Sequence, residues 1–599
     1  MASCPLRFRC ALVPAILLSL PLLVSAQVLS AQSSNADSAP NATAPPAQAA
    51  PVYESATVLH ATTRIVVVDV VATNKKGEPV TDLKAEDFTV QEDGHMQQVR
   101  SFNFQQPVQV TQPSVPAVAA AVPHLPEHVF TNAPSYKTDR PLNVILLDAL
   151  NSTLLNQMNV REEMLKLLQK LPADRPVAIY VLGEKLQVLQ DFTSDPALLQ
   201  TALKNYKDHP PLELKNPVGD PVARGIMLSR LPGMILPVFL KADQNMASMG
   251  ADQRVALTVA ALQAIAHSLS GYPGRKNLIW LSASFPIQMN AVGLKLTGEA
   301  SLRNYARPLE HMADALMNAQ VAVYPIDARG EATLSFLAIG GATKHPQGVA
   351  YTDGSGVGKE EVASELSDEL LAAHETMNTV AERTGGKAFY NTNDLDKAVR
   401  ASLDDGATYY TLGYYPTNKE WDGKFRKIQI KATRPDIKLR YRIGYFAVDP
   451  ASYMRLDAKQ RARDFIQALT LETPASTALL FQARVLPPSE KTGGKVLIDF
   501  AVDPHALSFE QSAGLAHAQL KCAVEVYSEQ GAPIRTEASD VATALQPDAY
   551  SQVLRTNLPC RTSFALKEGS YLLRLAVRDE RTGLTGSENA ELKVPEHQD

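Results

Sequence analysis

The chain is 599 residues long, carries a formal net charge of −5, and is 45% hydrophobic and 20% charged. That length accommodates roughly three to four domains, and the composition is that of globular protein, not of a collagenous or wholly disordered chain. The slightly acidic balance supplies no basic field, which argues against nucleic acid as a partner.

At the N-terminus, Arg7 and Arg9 precede an apolar run over 10–24, and Val24-Ser25-Ala26 has the small residues of a cleavage site before Gln27. Residues 1–26 therefore read as a signal peptide. The run is short for a spanning helix, and no later stretch is apolar enough to cross a bilayer. The expectation is an exported protein, secreted or retained in the periplasm or cell envelope, with no membrane span once the signal is removed. Residues 27–57 are rich in Ala, Ser, Pro and Gln. They lack the apolar content for a core and read as a disordered linker.

Residues 58–104 change pattern. A β-branched run over 64–73, a second strand over 88–91 and a return strand over 99–104 are expected, with Asp93-Gly94 as the tight hairpin turn. This small, Ig-like β unit is too short to bury a core alone, so it is expected to pack on another element. Its acidic cluster, Asp82, Glu86, Asp87, Glu92 and Asp93, lacks the alternation of a calcium loop and reads as a solvated face. Residues 105–140, rich in Pro and Ala, form a semi-extended linker.

An α/β pattern occupies 141–416. An apolar run over 142–147 leads into Asp148, after which Asn151, Ser152 and Thr153 open a helical pattern and can cap it. A short, wholly apolar run bounded by turn signals reads as a central strand of a parallel sheet. Open α/β sheets bind ligands at the carboxyl ends of such strands, which puts Asp148 on a functional loop. The plainer reading is that Asp148 and Ser152 only cap the helix and satisfy loop amides. Further strands are expected at 176–182, 185–190, 276–281 and 321–326, the last two ending in Ser282-Ala283-Ser284 and Asp327. Apolar residues at helical spacing fill the intervals, and an aromatic strand is expected over 409–415. This alternation is that of a doubly wound, Rossmann-like fold.

Two segments interrupt it. Residues 207–250 form a long, Pro-interrupted insertion. Its Met227, Met234, Met246 and Met249 are scattered and lack a neighbouring His, so they read as apolar filler and not as a copper site. Gly354-Ser355-Gly356-Val357-Gly358-Lys359 suggests a phosphate loop, but Asp353 stands where its first Gly is required, Glu360 follows the Lys, and no strand precedes it. A surface loop accounts for it better.

Residues 417–450 read as a β-hairpin, with strands over 425–432 and 439–446 around Pro435-Asp436. It is expected to complete one β-sandwich with 58–104, the α/β domain being inserted between them. Residues 451–474 are a helical connector, and 475–599 alternate as an antiparallel β-sandwich. Cys522 and Cys560 fall on the inward register of their strands. They form an inter-strand disulfide or a pair of buried thiols. No Cys/His cluster has zinc-ligand spacing.

Taken in order, VVVDVVATNKKGEPVTDLKAEDFTVQEDG at 66–94, LNVILLDALNST at 142–153, GRKNLIWLS at 274–282, VAVYPIDARG at 321–330, MNTVAERTGGKAFYNTNDL at 377–395 and YYTLGYYPTN at 409–418 resemble the von Willebrand factor type A-related family of secreted acidobacterial proteins. The resemblance covers about 58–447. It implies a divalent ion at the carboxyl end of the sheet, held by an Asp-x-Ser-x-Ser loop, a Thr from a second loop and an Asp from a third, with a partner's carboxylate completing the shell. Such a shell suits Mg2+, and also Mn2+ or Ca2+. Asp148 and Ser152 match the outer positions of the first loop, and Leu150 replaces its middle Ser. No Thr matches after residue 206, and Ser282-Ala283-Ser284 stands where the third-loop Asp is expected. The site is therefore degenerate, with Ser282 and Ser284 as hydroxyl contributors.

The leading expectation is a non-enzymatic, adhesion-type binding protein for other proteins at the cell envelope or outside it. Its contact rim would be Asn151, Thr153, Ser282, Ser284 and Asp327 around the metal candidates Asp148 and Ser152. The alternatives are a structural envelope scaffold without a ligand site, and a hydrolase using Ser282 or Ser284. The latter lacks the Gly-x-Ser-x-Gly context of a nucleophile elbow.

Overall fold

The computed structural model describes residues 65–106, 125–134, 140–152, 154–171, 175–207, 236–283, 285, 306–330 and 359–595. The signal peptide, the 27–57 linker, the Gly354–Gly358 stretch, Thr153 and Ser284 lie outside the described residues. So do most of the 105–140 linker and the 208–235 part of the insertion.

The first unit begins with β1 (Val66–Thr73), β2 (Phe88–Glu92), β3 (His95–Gln97) and β4 (Val99–Gln105). Asp93 and Gly94 between β2 and β3 have φ of 48° and 83°, the left-handed pair that a two-residue hairpin demands. A short strand, β5 (Val129–Thr131), follows. Its Pro- and Ala-rich setting predicts a linker, but it pairs antiparallel with residues 482–484 of the C-terminal unit. The side chain of Asn132, beside it, donates to the carbonyls of Ser476 and Leu479 and accepts from the Phe481 amide. Those bonds replace the water that a solvated linker would need.

The α/β unit follows. Its strands are β6 (Leu142–Asp148), β7 (Val177–Leu182), β8 (Leu186–Thr193), β9 (Lys276–Ser282) and β10 (Val321–Asp327). They form one sheet in the order β10-β9-β6-β7-β8. All neighbours are parallel except the β7–β8 edge pair. The chain enters at the centre, winds to one edge, then crosses back to the other, which is the doubly wound order. Every residue of β6, β7, β9 and β10 is buried, which is why each reads as an unbroken apolar run. Edge strand β8 is exposed or half-buried at every residue after Leu186.

Helices cover both faces. On one, Leu146, Trp280 and Val323 pack against α3 (Leu236–Leu269), α4 (Ala306–Asn318) and α5 (Lys359–Thr384). On the other, Ile145, Ile279 and Tyr324 pack against α1 (Leu154–Leu168), α2 (Pro196–Asn205) and α6 (Leu395–Asp405). Helix α3 starts inside the segment read as an insertion, so residues 236–250 of that segment are helical.

The chain then returns to its first unit. The aromatic strand β11 (Tyr409–Tyr414) was assigned to the α/β domain, but it lies between β1 and β4 and pairs with both. A short buried strand after a helix carries the same periodicity whichever sheet accepts it, so the pattern could not place it. The expected hairpin also divides. After β12 (Phe425–Ala432), β13 (Lys438–Arg440) joins β1, and only β14 (Gly444–Phe446) returns to β12. The two resulting sheets, β13-β1-β11-β4 and β14-β12-β2-β3, close over one core that includes Val68, Val90, Tyr410, Leu412 and Ile430.

Hydrogen bonds at the amino end of the parallel sheet fix this β unit to the α/β unit. Asp69 of β1 accepts from Gln320 and from Thr411. The Arg275 amide donates across the boundary to the Tyr409 hydroxyl, while its guanidinium is held inside the α/β unit by the Gly385 carbonyl and the Tyr324 hydroxyl.

Past the connector helix α7 (Ala458–Leu469), the last unit has β15 (Phe481–Leu486), β16 (Val496–Val502), β17 (Glu510–Ser512), β18 (Leu515–Ser528), β19 (Pro533–Leu545), β20 (Leu558–Phe564), β21 (Gly569–Asp579) and β22 (Thr585–Val594). One sheet is β20-β16-β15-β5 and the other β17-β18-β21-β22, with β19 on the outer side of β18. Cys522 of β18 and Cys560 of β20 form a disulfide between the two sheets, inside the core that both cover. Arg574, fully buried, donates to the carbonyls of Ala468 and Pro474 and so ties the connector down.

Candidate functional site

The carboxyl ends of β6, β9 and β10 carry two polar centres. The first is built on Asp148, the last residue of β6. The loop after it is drawn inward at each step. The Leu150 amide bonds the Leu182 carbonyl at 2.8 Å, and the Leu150 side chain joins the core. The buried Gln157 side chain donates to the carbonyls of Ala149 and Ser152, both at 3.0 Å. The Ser152 hydroxyl accepts from the Ala283 amide at 3.0 Å, which locks the β6 loop to the β9 loop.

Asp148 itself is 3% exposed. The Asn151 amide reaches its Oδ1 at 3.0 Å, and the Asn151 side-chain Nδ2 spans Oδ1 and Oδ2 at 3.1 and 2.9 Å. The Trp280 indole donates to Oδ2 at 3.0 Å, and the Ser282 hydroxyl also bonds the carboxyl. Burial pushes the Asp148 carboxyl above its ordinary range, against the pull of the bonds from Asn151, Ser282 and Trp280.

This overturns the expectation of an open acidic loop. Asn151, Ser152 and Ser282 are 7%, 5% and 0% exposed, so they are interior and do not form a contact rim. The physical reason is that the loop after a central strand has buried amides to satisfy, and these side chains satisfy them. The structure does bring Asp148, Asn151, Ser152 and Ser282 together, but as a closed hydrogen-bond centre. The groups aimed at the Asp148 oxygens are mostly N–H donors, whereas Mg2+, Mn2+ or Ca2+ requires several converging oxygen lone pairs. The residues do not fit a divalent ion. Among the described residues, no group of three or more His, Cys, Asp or Glu stands in metal-ligating array.

The second centre is built on Asp327, at the end of β10 and 1% exposed. The Arg329 guanidinium grips it, Nε at 2.9 Å from Oδ1 and Nη2 at 2.7 Å from Oδ2. His374 Nε2 lies 3.4 Å from Oδ2. Burial alone would raise the Asp327 carboxyl, but the bonds from His374 and Arg329 outweigh it and hold it below its usual range. The His374 ring stacks on Tyr390, centroids 4.1 Å apart and planes 16° off parallel. Asn378 donates to the Tyr390 hydroxyl. Ser282 links the centres, its side chain bonding Asp148 and its carbonyl accepting from the Ala328 amide.

The sequence reading included Asp327 and missed His374 and Tyr390. His374 follows Ala373 on the buried stripe of α5 with Met377 and Val380, and a histidine beside such a stripe was the available signal. Among the described residues, exposed groups beside this edge lie on the helix that follows the Asp148 loop. Leu154, Leu155 and Met158, on the first turns of α1, are 40%, 67% and 48% exposed, and the Arg329 side chain is 27% exposed. Ser282, a candidate nucleophile by sequence, is sealed and turned to Asp148.

Fold and site define a doubly wound α/β module with closed polar centres at the carboxyl ends of its strands, set within a larger β framework. No protein-family model matches the sequence, and neither does any curated protein. Among solved structures, the chain is similar to an aerotolerance-related membrane protein from Bacteroides fragilis at 10% identity, over 44% of this chain and 98% of that one, with a TM-score of 0.22. It is similar to a von Willebrand factor type A protein from Catenulispora acidiphila at 9% identity, over 83% and 74%, with a TM-score of 0.22. It is also similar to the ArnB paralog VWA2 from Sulfolobus acidocaldarius at 9% identity, over 89% and 76%, with a TM-score of 0.21. Likenesses at these scores carry no argument about ligand or activity.

Proposed function

We propose that this is an exported, adhesion-type binding protein whose von Willebrand factor A-related module attaches to another protein of the cell envelope or exterior. The observation that carries the reading is the pairing of a sealed polar interior with an exposed apolar turn at the same edge of the sheet. Leu155 and Met158 are large, solvent-facing and adjacent on α1. They sit immediately after the loop where α/β sheets bind their ligands. The Cys522–Cys560 disulfide supports an oxidising compartment. Among the described residues, no helix is long and apolar enough to cross a membrane.

The closed Asp148 centre favours a second reading, a structural envelope scaffold that keeps the module for its shape alone. Capture from the native envelope fraction separates the two. A partner held by the wild-type chain and lost with Leu155→Asp/Met158→Asp supports attachment. Capture of no partner by either protein supports the scaffold, and equal capture by both moves attachment to another surface.

A further inference from the structure

We infer that the Asn151 side chain is a built-in substitute for a cation, so that this module holds its central carboxylate ready without any metal ion. A carboxylate offers about four lone-pair sites. At Asp148 these meet the Asn151 amide, the Asn151 Nδ2 group, the Trp280 indole and the Ser282 hydroxyl. Nδ2 occupies the particular position of interest. It lies 3.1 and 2.9 Å from the two carboxyl oxygens and 3.0 Å from the Thr258 hydroxyl, which α3 delivers from another part of the chain.

Two carboxyl oxygens and a hydroxyl converging on one point are what a hard cation takes. Here the point holds an NH2 group, whose hydrogens present partial positive charge to the same oxygens. The orientation of the amide has a cost that shows what sets it. Asn151 is 7% exposed, and its Oδ1 is a buried acceptor without a hydrogen-bond partner. Turning the amide over would aim Oδ1 at the carboxylate, oxygen against oxygen. The NH2 group therefore faces inward at the expense of its own oxygen, which is the behaviour of a group held by the charge opposite it.

Replacing the amide with an oxygen ligand should reopen the site. Asn151→Asp would leave two carboxylates beside the hydroxyls of Thr258, Ser282 and Ser152, an all-oxygen set. Asn151→Ser removes the NH2 group with a smaller change in charge. The test uses the full chain, with MnCl2 and MgCl2 as probes in calorimetry and in thermal melts with and without EDTA. The wild type is expected to show no saturable heat and no change of Tm with EDTA. Asn151→Asp is expected to bind one Mn2+ at least about tenfold more tightly than the wild type, with a Tm that climbs with ion concentration. Asn151→Ser should move in the same direction by less. One-to-one Mn2+ binding by the wild type that Asp148→Asn abolishes would overturn the assignment. So would folded Asn151→Asp and Asn151→Ser proteins that gain no binding. If neither variant folds, the wild-type arm still decides.

Discussion

Two buried charges test the structure residue by residue. Asp148 is ringed by donors that need it, so Asp148→Leu should leave the Trp280 indole and the Asn151 amide unpaired and cost about 3 kcal/mol in urea unfolding. The isosteric Asp148→Asn should cost less and also change the pH profile. The folded-state pKa of Asp148 lies above its unfolded value. Its stabilising contribution is therefore complete below the unfolded pKa and is lost as pH rises through the folded one, a slope absent from Asp148→Asn. Lys276 gives the opposite sign. Burial holds its ammonium down to about 7, from 10.5, with Nζ donating to the Tyr272 carbonyl at 2.8 Å. The unfolded chain binds that proton more readily, so stability should rise between pH 7 and 10.5 and be flat below. Lys276→Met should lack the rise, a difference on the order of a few kcal/mol across the window in paired urea melts. The burial of Asp148 was not legible in the sequence. Trp280, which bonds it, is 132 positions away, and Thr258, which bonds its partner Asn151, is 107 positions from that asparagine; no local pattern reports which side chain will cover a strand end.

At the scale of elements, what sequence periodicity encodes was readable, and what pairing decides was not. Strands β6, β7, β9 and β10 announced themselves because both of their faces are buried. The Asp93-Gly94 turn was legible because left-handed backbone at two successive positions leaves few residue choices. Strand β11 went to the wrong unit, and β5 was missed, because Val129–Thr131 is too short to carry a pattern and is fixed by Asn132 instead. The inward register of Cys522 and Cys560 was readable, whereas their bonding was not. The bridge closes 38 residues of chain between two sheets. In the chain-entropy model such a loop contributes about 4 kcal/mol. Replacing both cysteines with Ala should lower stability by about 2–4 kcal/mol. Thiol titration of the unfolded, unreduced protein without residues 1–26 should find no free thiol; two free thiols would exclude the bond.

At the scale of the whole molecule, residues 65–447 are an α/β module carried inside a β unit, followed by the C-terminal β-sandwich. The chain leaves the two-layer unit after β4, builds the doubly wound sheet, and returns as β11 between β1 and β4. Neither half of that β unit has a core without the other, since the cluster around Val68, Val90, Tyr410 and Ile430 draws on both. A fragment of 58–106 should therefore show no cooperative melt alone, whereas a chain spanning 58–447 should; a cooperative transition in the short fragment would contradict the insertion. Mounted this way, the module has its amino end anchored through Asp69 and the Arg275 amide and its carboxyl end turned away from that anchor, with Leu155 and Met158 of α1 exposed beside it. The central claim is that attachment occurs at this free edge, through the surface of α1, with no cation at Asp148. The most direct measurement is capture from native envelope extract on immobilised full-length protein, run in EDTA and in Mn2+, with wild type and Leu155→Asp/Met158→Asp side by side. The expected result is one partner retained equally in both buffers and lost with the α1 variant. Retention that disappears in EDTA, or that the α1 variant leaves intact, would contradict the claim.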